Sequence, residues 1–150
     1  DIKMYRYPVK ELEELLDNKI LSIDNTTYEN EDVIETLKAG KAQVITIDAR
    51  LEKDSILNMV VNSIDITYTE TTNSLTALGK TSVVPLIDGK ISLLIISDIT
   101  SLEVYAQQGL YVFSGYTDIN DRIIKMKTNN GKVFIKNLEI YSIDSIWKDR

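Results

Sequence analysis

Two dipeptides constrain this chain more than any other feature: Asp88-Gly89 and Asn130-Gly131, each set between runs rich in Ile, Val and Leu. A two-residue type I′ turn needs positive φ at both central positions, and Asp-Gly or Asn-Gly reaches it at low cost. Residues 83–87 with 90–96, and 122–128 with 132–136, therefore read as two β-hairpins. Pro85 cannot donate to a ladder, so one edge of the first hairpin is expected to be free or bulged. Residues 110–116 read as a further strand, and Ile140, Ile143, Ile146 and Trp147 close an all-β second half.

The first half reads as helices alternating with strands. Pro8 suits a first helical turn, and Val9, Leu12 and Leu16 recur at helical spacing after it. Thr26 and Glu29 have capping-box spacing, Glu31 and Asp32 come early, Lys38 late, and Gly40 fits a C-terminal cap. That pattern predicts a second helix with Val33, Ile34 and Leu37 as its buried stripe. Leu51, Ile56, Met59 and Val60 predict a third. Short strands fall at 20–23, 42–47 and 64–68. The polar segment 69–76 is the best boundary. The expected architecture is α+β: an α/β lobe over 1–69 with three helices and three short strands, then an antiparallel, barrel-like β lobe of SH3/OB type over 70–150, the two lobes sharing a core if they pack together.

The segment 32–48, DVIETLKAGKAQVITID, belongs to a helix–Gly–Lys–strand–helix run over 28–62 that resembles in pattern the α/β core of the bacterial cell-division family SepF. The last forty residues resemble small SH3-like barrels. Both resemblances imply architecture, and neither brings a functional residue with it.

Composition removes whole classes of chemistry. The 150 residues contain no histidine and no cysteine, which excludes Ser-His-Asp and Cys-His catalysis, Cys/His zinc sites and disulfides. No apolar run is long enough for a membrane-spanning helix. Absence of cysteine is compatible with the cytoplasm, slightly favoured, and with secreted bacterial proteins alike, and a first residue of Asp is compatible with trimming or processing. The net charge is -6, and it is uneven. Residues 1–75 carry 8 basic and 15 acidic side chains (8 − 15 = −7), and residues 76–150 carry 9 and 8 (9 − 8 = +1).

Four constellations could carry chemistry. Gly79-Lys80-Thr81 ends like a phosphate-binding loop, but Ser74 stands where that motif needs glycine, so it reads as a connector. Asp88-Gly89-Lys90, with Asp65 upstream, matches the acidic–x–Lys pattern of metal-dependent nucleases but fits a turn better. Asp24 and Asp48 each follow the last apolar residue of a predicted strand. On a parallel sheet they would share its C-terminal edge and could hold Mg²⁺. In the second hairpin, period-2 alternation puts Ile124, Met126, Val133 and Ile135 on the core face, and Lys125, Lys127, Lys132 and Lys136 around Phe134 on the outer one. Residues 121–136 carry five basic side chains against Asp121 (5 − 1 = +4). Tyr105, Tyr111, Phe113 and Tyr116 read as sheet packing.

The sequence thus points first to a non-enzymatic binding or adaptor module that meets another macromolecule through the basic hairpin face. The partner is a protein or a second copy of the chain, with nucleic acid next. No cofactor is expected. The alternatives are a Mg²⁺-dependent phosphoryl-transfer enzyme or nuclease using Asp24 and Asp48, and an assembly subunit of a phage or surface apparatus, bacterial or viral in origin.

Overall fold

The computed structural model describes residues 19–38, 42–98, 100–116 and 123–142. Among them are twelve strands and one short 3₁₀ turn at Glu70–Thr72. The strands are β1 (Lys19–Glu29), β2 (Val33–Lys38), β3 (Gln43–Leu51), β4 (Ile56–Val61), β5 (Ile64–Thr69), β6 (Ser74–Ala77), β7 (Lys80–Val83), β8 (Lys90–Ser97), β9 (Ser101–Ala106), β10 (Tyr111–Tyr116), β11 (Ile123–Asn130) and β12 (Lys132–Ser142). They form two six-stranded sheets, both antiparallel throughout. Sheet A has the order β1-β12-β3-β8-β9-β10 and sheet B the order β2-β11-β4-β5-β6-β7.

The α+β expectation is therefore overturned. The predicted second helix is strand β2, and the predicted third is strand β4. In β4 the burial alternates strictly: Leu57, Met59 and Val61 face inward and are sealed from water. A six-residue segment that is apolar except at Asn58 satisfies helical and strand periods at once, and β-branched residues on a half-buried surface favour the strand. The helix expected over 8–17 and the closing residues Ile143, Ile146 and Trp147 lie outside the described residues. The β lobe is a two-sheet sandwich rather than an SH3/OB-like barrel. Both sheets take strands from either side of residue 69, with β12 lying between β1 and β3.

The two turn dipeptides behave differently. Asp88 and Gly89 have φ of 53° and 77°, and Ile87 and Lys90 exchange both backbone hydrogen bonds across them, as a type I′ turn requires. At the second dipeptide only Gly131 is left-handed, and β11 and β12 do not pair with each other. The chain crosses there from sheet B to sheet A, so the second hairpin is an arch between sheets.

One core fills the space between the sheets. Ile45, Ile47, Ala49 and Leu51 of β3, Ile91, Leu93 and Ile95 of β8, and Val133, Ile135, Leu138 and Ile140 of β12 face Leu57, Met59, Val61, Ile66, Ile124 and Met126 of sheet B. Asn62 and Ser97 join the sheets at one end, the Asn62 amide donating to Ser97 Oγ at 2.8 Å. Tyr68 is buried, and its hydroxyl donates to the Val84 carbonyl at 2.6 Å.

Burial, reinforced by Glu70, pushes the Tyr68 phenol up to about 12, and burial with the neighbouring Glu139 does the same for Tyr141. Both phenols are held protonated in the fold. Between about pH 10 and 12 the unfolded chain releases these protons while the folded chain keeps them, so stability falls as pH rises through that window. Thermal melts from pH 9 to 12 should show the loss. Tyr68→Phe should melt lower at pH 7, because the Val84 carbonyl loses its donor, yet fall less steeply above pH 10.

Candidate functional site

Every second residue of a sheet A strand faces away from the core. That outer face has two unlike ends. At one end Val44, Leu94, Ile96, Tyr105 and Tyr141 form a second apolar layer withdrawn from water. Beside it Lys19 donates to Glu139 at 2.7 Å and the Tyr141 hydroxyl donates to Glu139 at 2.6 Å. These two bonds hold the Glu139 carboxyl below its ordinary range.

The other end is open and polar, and two cross-strand rows define it. Thr27 of β1 lies opposite Phe134 of β12, Phe134 opposite Arg50 of β3, and Arg50 opposite Lys90 of β8. In the next row Asp24, Asn137, Asp48 and Ser92 follow one another across the same four strands. An irregularity in β12 between Ile135 and Asn137 brings Lys136 to this surface as well. The rows border two adjoining hollows. One, of about 350 Å³, is lined by Asp48, Ile87, Asp88, Lys90, Ser92, Gln107, Gln108 and Lys136. The other, of about 230 Å³, is lined by Asn25, Ala49, Arg50, Lys90, Phe134 and Lys136. Lys90 and Lys136 border both.

Backbone and buried side chains fix the walls. Gln107, almost fully buried, accepts from the Ser92 amide at 2.9 Å and donates to the carbonyls of Pro85 and Lys90 at 2.8 and 3.0 Å. It thereby ties the β7–β8 connection to β8 beneath the first hollow. Arg50 donates to the Asp88 carbonyl at 3.0 Å, and Asn137 donates to Asp24 Oδ1 at 2.7 Å. Phe134 is only partly buried although its strand is central, so part of its ring stays available.

The sequence-predicted residues divide between surfaces. Phe134 and Lys136 line the hollows on sheet A. Lys125 and Lys127 alternate with the buried Ile124 and Met126 of β11, so they stand on the outer face of sheet B, on the far side of the molecule. Lys132 sits at the arch with its ammonium 3.9 Å from Glu29. The single basic hairpin face is thus corrected to two separate surfaces, because β11 and β12 belong to different sheets. Asp24 and Asp48 share the outer face of sheet A, in mid-strand on antiparallel ladders and not at the edge of a parallel sheet. Asn137 stands between them, and two strand spacings part their backbones by roughly 9–10 Å. Among the described residues no group of three or more acidic side chains converges as a metal cage would.

Arg50, Gln107 and Asn137 escaped sequence reasoning, and Lys90 entered it only within the Asp88-Gly89-Lys90 turn. Period-2 alternation through Ile45, Ile47, Ala49 and Leu51 was the available signal, because it sets Asp48 and Arg50 on one outward face.

Comparison with known proteins adds fold. Solved structures match with the same two-sheet architecture. An exo-inulinase from Aspergillus awamori superposes with a TM-score of 0.71 at 14% identity, over 86% of this chain and 31% of its own. A β-fructofuranosidase from Aspergillus kawachii gives 0.69 at 16% identity, over 96% of this chain and 31% of its own. A galectin from Caenorhabditis elegans gives 0.56 at 7% identity, over 79% of this chain and 94% of its own. The likeness is one of fold alone. This chain spans about a third of the inulinase and fructofuranosidase chains and most of the galectin. No family model and no curated protein matches it.

Proposed function

We propose that the protein is a non-enzymatic carbohydrate-binding β-sandwich whose ligand lies across the open end of the outer face of sheet A. One observation carries the reading: a partly buried phenylalanine, Phe134, set among Asn25, Arg50, Lys90 and Lys136 in a hollow that joins a second, more polar one. A sugar ring has one face of C–H groups and an edge of hydroxyls. The C–H face suits an aromatic platform, and the hydroxyls need donors and acceptors held at fixed positions. Asp48 and the Gln108 side chain offer acceptors, and Arg50, Lys90, Lys136 and Ser92 offer donors. Sites of this kind bind through a few placed polar groups on a pre-formed surface.

The similar structures are consistent with this reading. One is a galectin, a carbohydrate-binding sandwich, and the others are enzymes named for fructosides, one of them a fructofuranosidase complexed with fructose. This chain spans about a third of the length of the inulinase and fructofuranosidase chains, and the proposal made for it is one of binding.

The test is a glycan array followed by titration calorimetry of the best ligand. Phe134→Ala should weaken binding about tenfold to thirtyfold, equivalent to about 1.4–2 kcal/mol, while the melting temperature moves little because the ring is outside the core. Unchanged affinity in that variant would remove Phe134 from the site.

A further inference from the structure

The two hollows differ in charge, and the difference bears on what kind of sugar fits. The smaller one is lined by Arg50, Lys90 and Lys136 with no carboxylate among its walls. The larger one sets Asp48 and Asp88 among its lining residues beside Lys90 and Lys136. Among the described residues none of the three cations makes an ion pair; the Arg50 guanidinium spends one N–H on the Asp88 carbonyl, which is neutral. Three cations gathered around one aromatic ring, in a chain of net charge -6, repel one another unless an anion sits among them.

We propose that the Phe134 hollow is a subsite for an anionic ring, a uronic acid, and that the Asp48 hollow receives the neutral ring next to it. The ring's C–H face lies on Phe134 while its carboxylate meets Arg50, whose planar fork matches two oxygens, with Lys90 and Lys136 at either side. In the neighbouring hollow Asp48 and Asp88 accept from hydroxyls and disfavour a second carboxylate. The preferred ligand is then a saccharide in which acidic and neutral rings alternate. A nucleic acid fits less well. Its phosphates follow one another without interruption and would pass Asp24, Asp48 and Asp88, and only Phe134 offers a stacking face.

This inference rests on the carbohydrate reading, and the experiment separates their failures. Titration calorimetry would use four probes: a tetrasaccharide of alternating glucuronate and N-acetylglucosamine, the same compound with its carboxylates reduced to alcohols, a neutral fructo-oligosaccharide, and an oligothymidylate of similar length. The expected result is binding of the acidic tetrasaccharide at least tenfold tighter than its reduced form, with the gap shrinking as NaCl rises from 50 to 300 mM. Lys136→Gln, and separately Arg50→Gln, should weaken the acidic tetrasaccharide more than its reduced form and so narrow that gap severalfold. Equal affinity for the acidic and reduced forms would overturn the anionic subsite while leaving the carbohydrate reading intact. Binding of none of the three saccharides would overturn both. Tightest binding to oligothymidylate, lost in the same variants, would overturn the saccharide in favour of a nucleic acid.

Discussion

Replacing Gly131 by valine is expected to cost about 3 kcal/mol or more and to leave little folded protein near 37 °C. Two independent effects coincide there. Gly131 has a φ of 66°, a region that a β-branched side chain enters only under strain. A Cβ built on it would also stand 2.7 Å from Ser55 Cα and 2.9 Å from Ser55 N, both backbone atoms that cannot swing aside. The residue sits where the chain passes between sheets, with its carbonyl accepting from the Asn30 amide at 2.8 Å and Asn130 next to it donating to the Asp54 carbonyl. Gly79 is the control. Its φ is 74°, but nothing lies within 4 Å of a built Cβ, so Gly79→Ala should cost only about 1 kcal/mol. Urea midpoints of Gly131→Ala and Gly79→Ala side by side separate the clash from the backbone strain. Equal losses would mean that Ser55 gives way.

The second large effect is expected at Gln107. Its side chain makes three hydrogen bonds, to the Ser92 amide and to the Pro85 and Lys90 carbonyls, from an almost fully buried position. Gln107→Ala removes all three and takes from the Ser92 amide and the Pro85 carbonyl their partner, while the Lys90 carbonyl keeps its bond from the Ile87 amide, at roughly 2–4 kcal/mol. It should also cost ligand affinity about tenfold, since Lys90 and Ser92 line the hollow that Gln107 supports from behind. Gln107 has a positive φ of 52°, so Gln107→Gly relieves backbone strain while losing the same bonds. The glycine variant should be the more stable of the two and bind as poorly. Recovery of affinity in the glycine variant would show that backbone conformation, not the amide, shapes the hollow.

These residues also mark what the sequence could disclose. The tight turn at Asp88-Gly89 was legible because its chemistry is local: two left-handed residues between two reciprocal hydrogen bonds. Asn130-Gly131 offered the same signal and formed an arch. A glycine at positive φ serves a crossing between sheets as well as a hairpin, and which one forms depends on pairings with β3 and β4, about 80 residues upstream. The helices expected at Val33–Lys38 and Ile56–Val61 failed for a related reason. Segments of six residues are short enough to fit both periods, and the sheet supplied the long-range partners that decided between them. Of the proposed site, Phe134 and Lys136 were legible as outward positions because outward and inward positions alternate along one strand. Their neighbours Asp48, Arg50 and Lys90 come from β3 and β8, and only the strand order brings them alongside.

The most direct test of the account is to map a bound oligosaccharide on the uniformly ¹⁵N-labelled protein by amide chemical shifts. Titration should move the amides of Asp48, Arg50, Lys90, Ser92, Phe134, Lys136 and Asn137 together along one binding curve, while those of Lys125, Lys127 and Asn129 on the outer face of sheet B stay in place. Shifts concentrated on Lys125 and Lys127, with the Phe134 region unmoved, would contradict it.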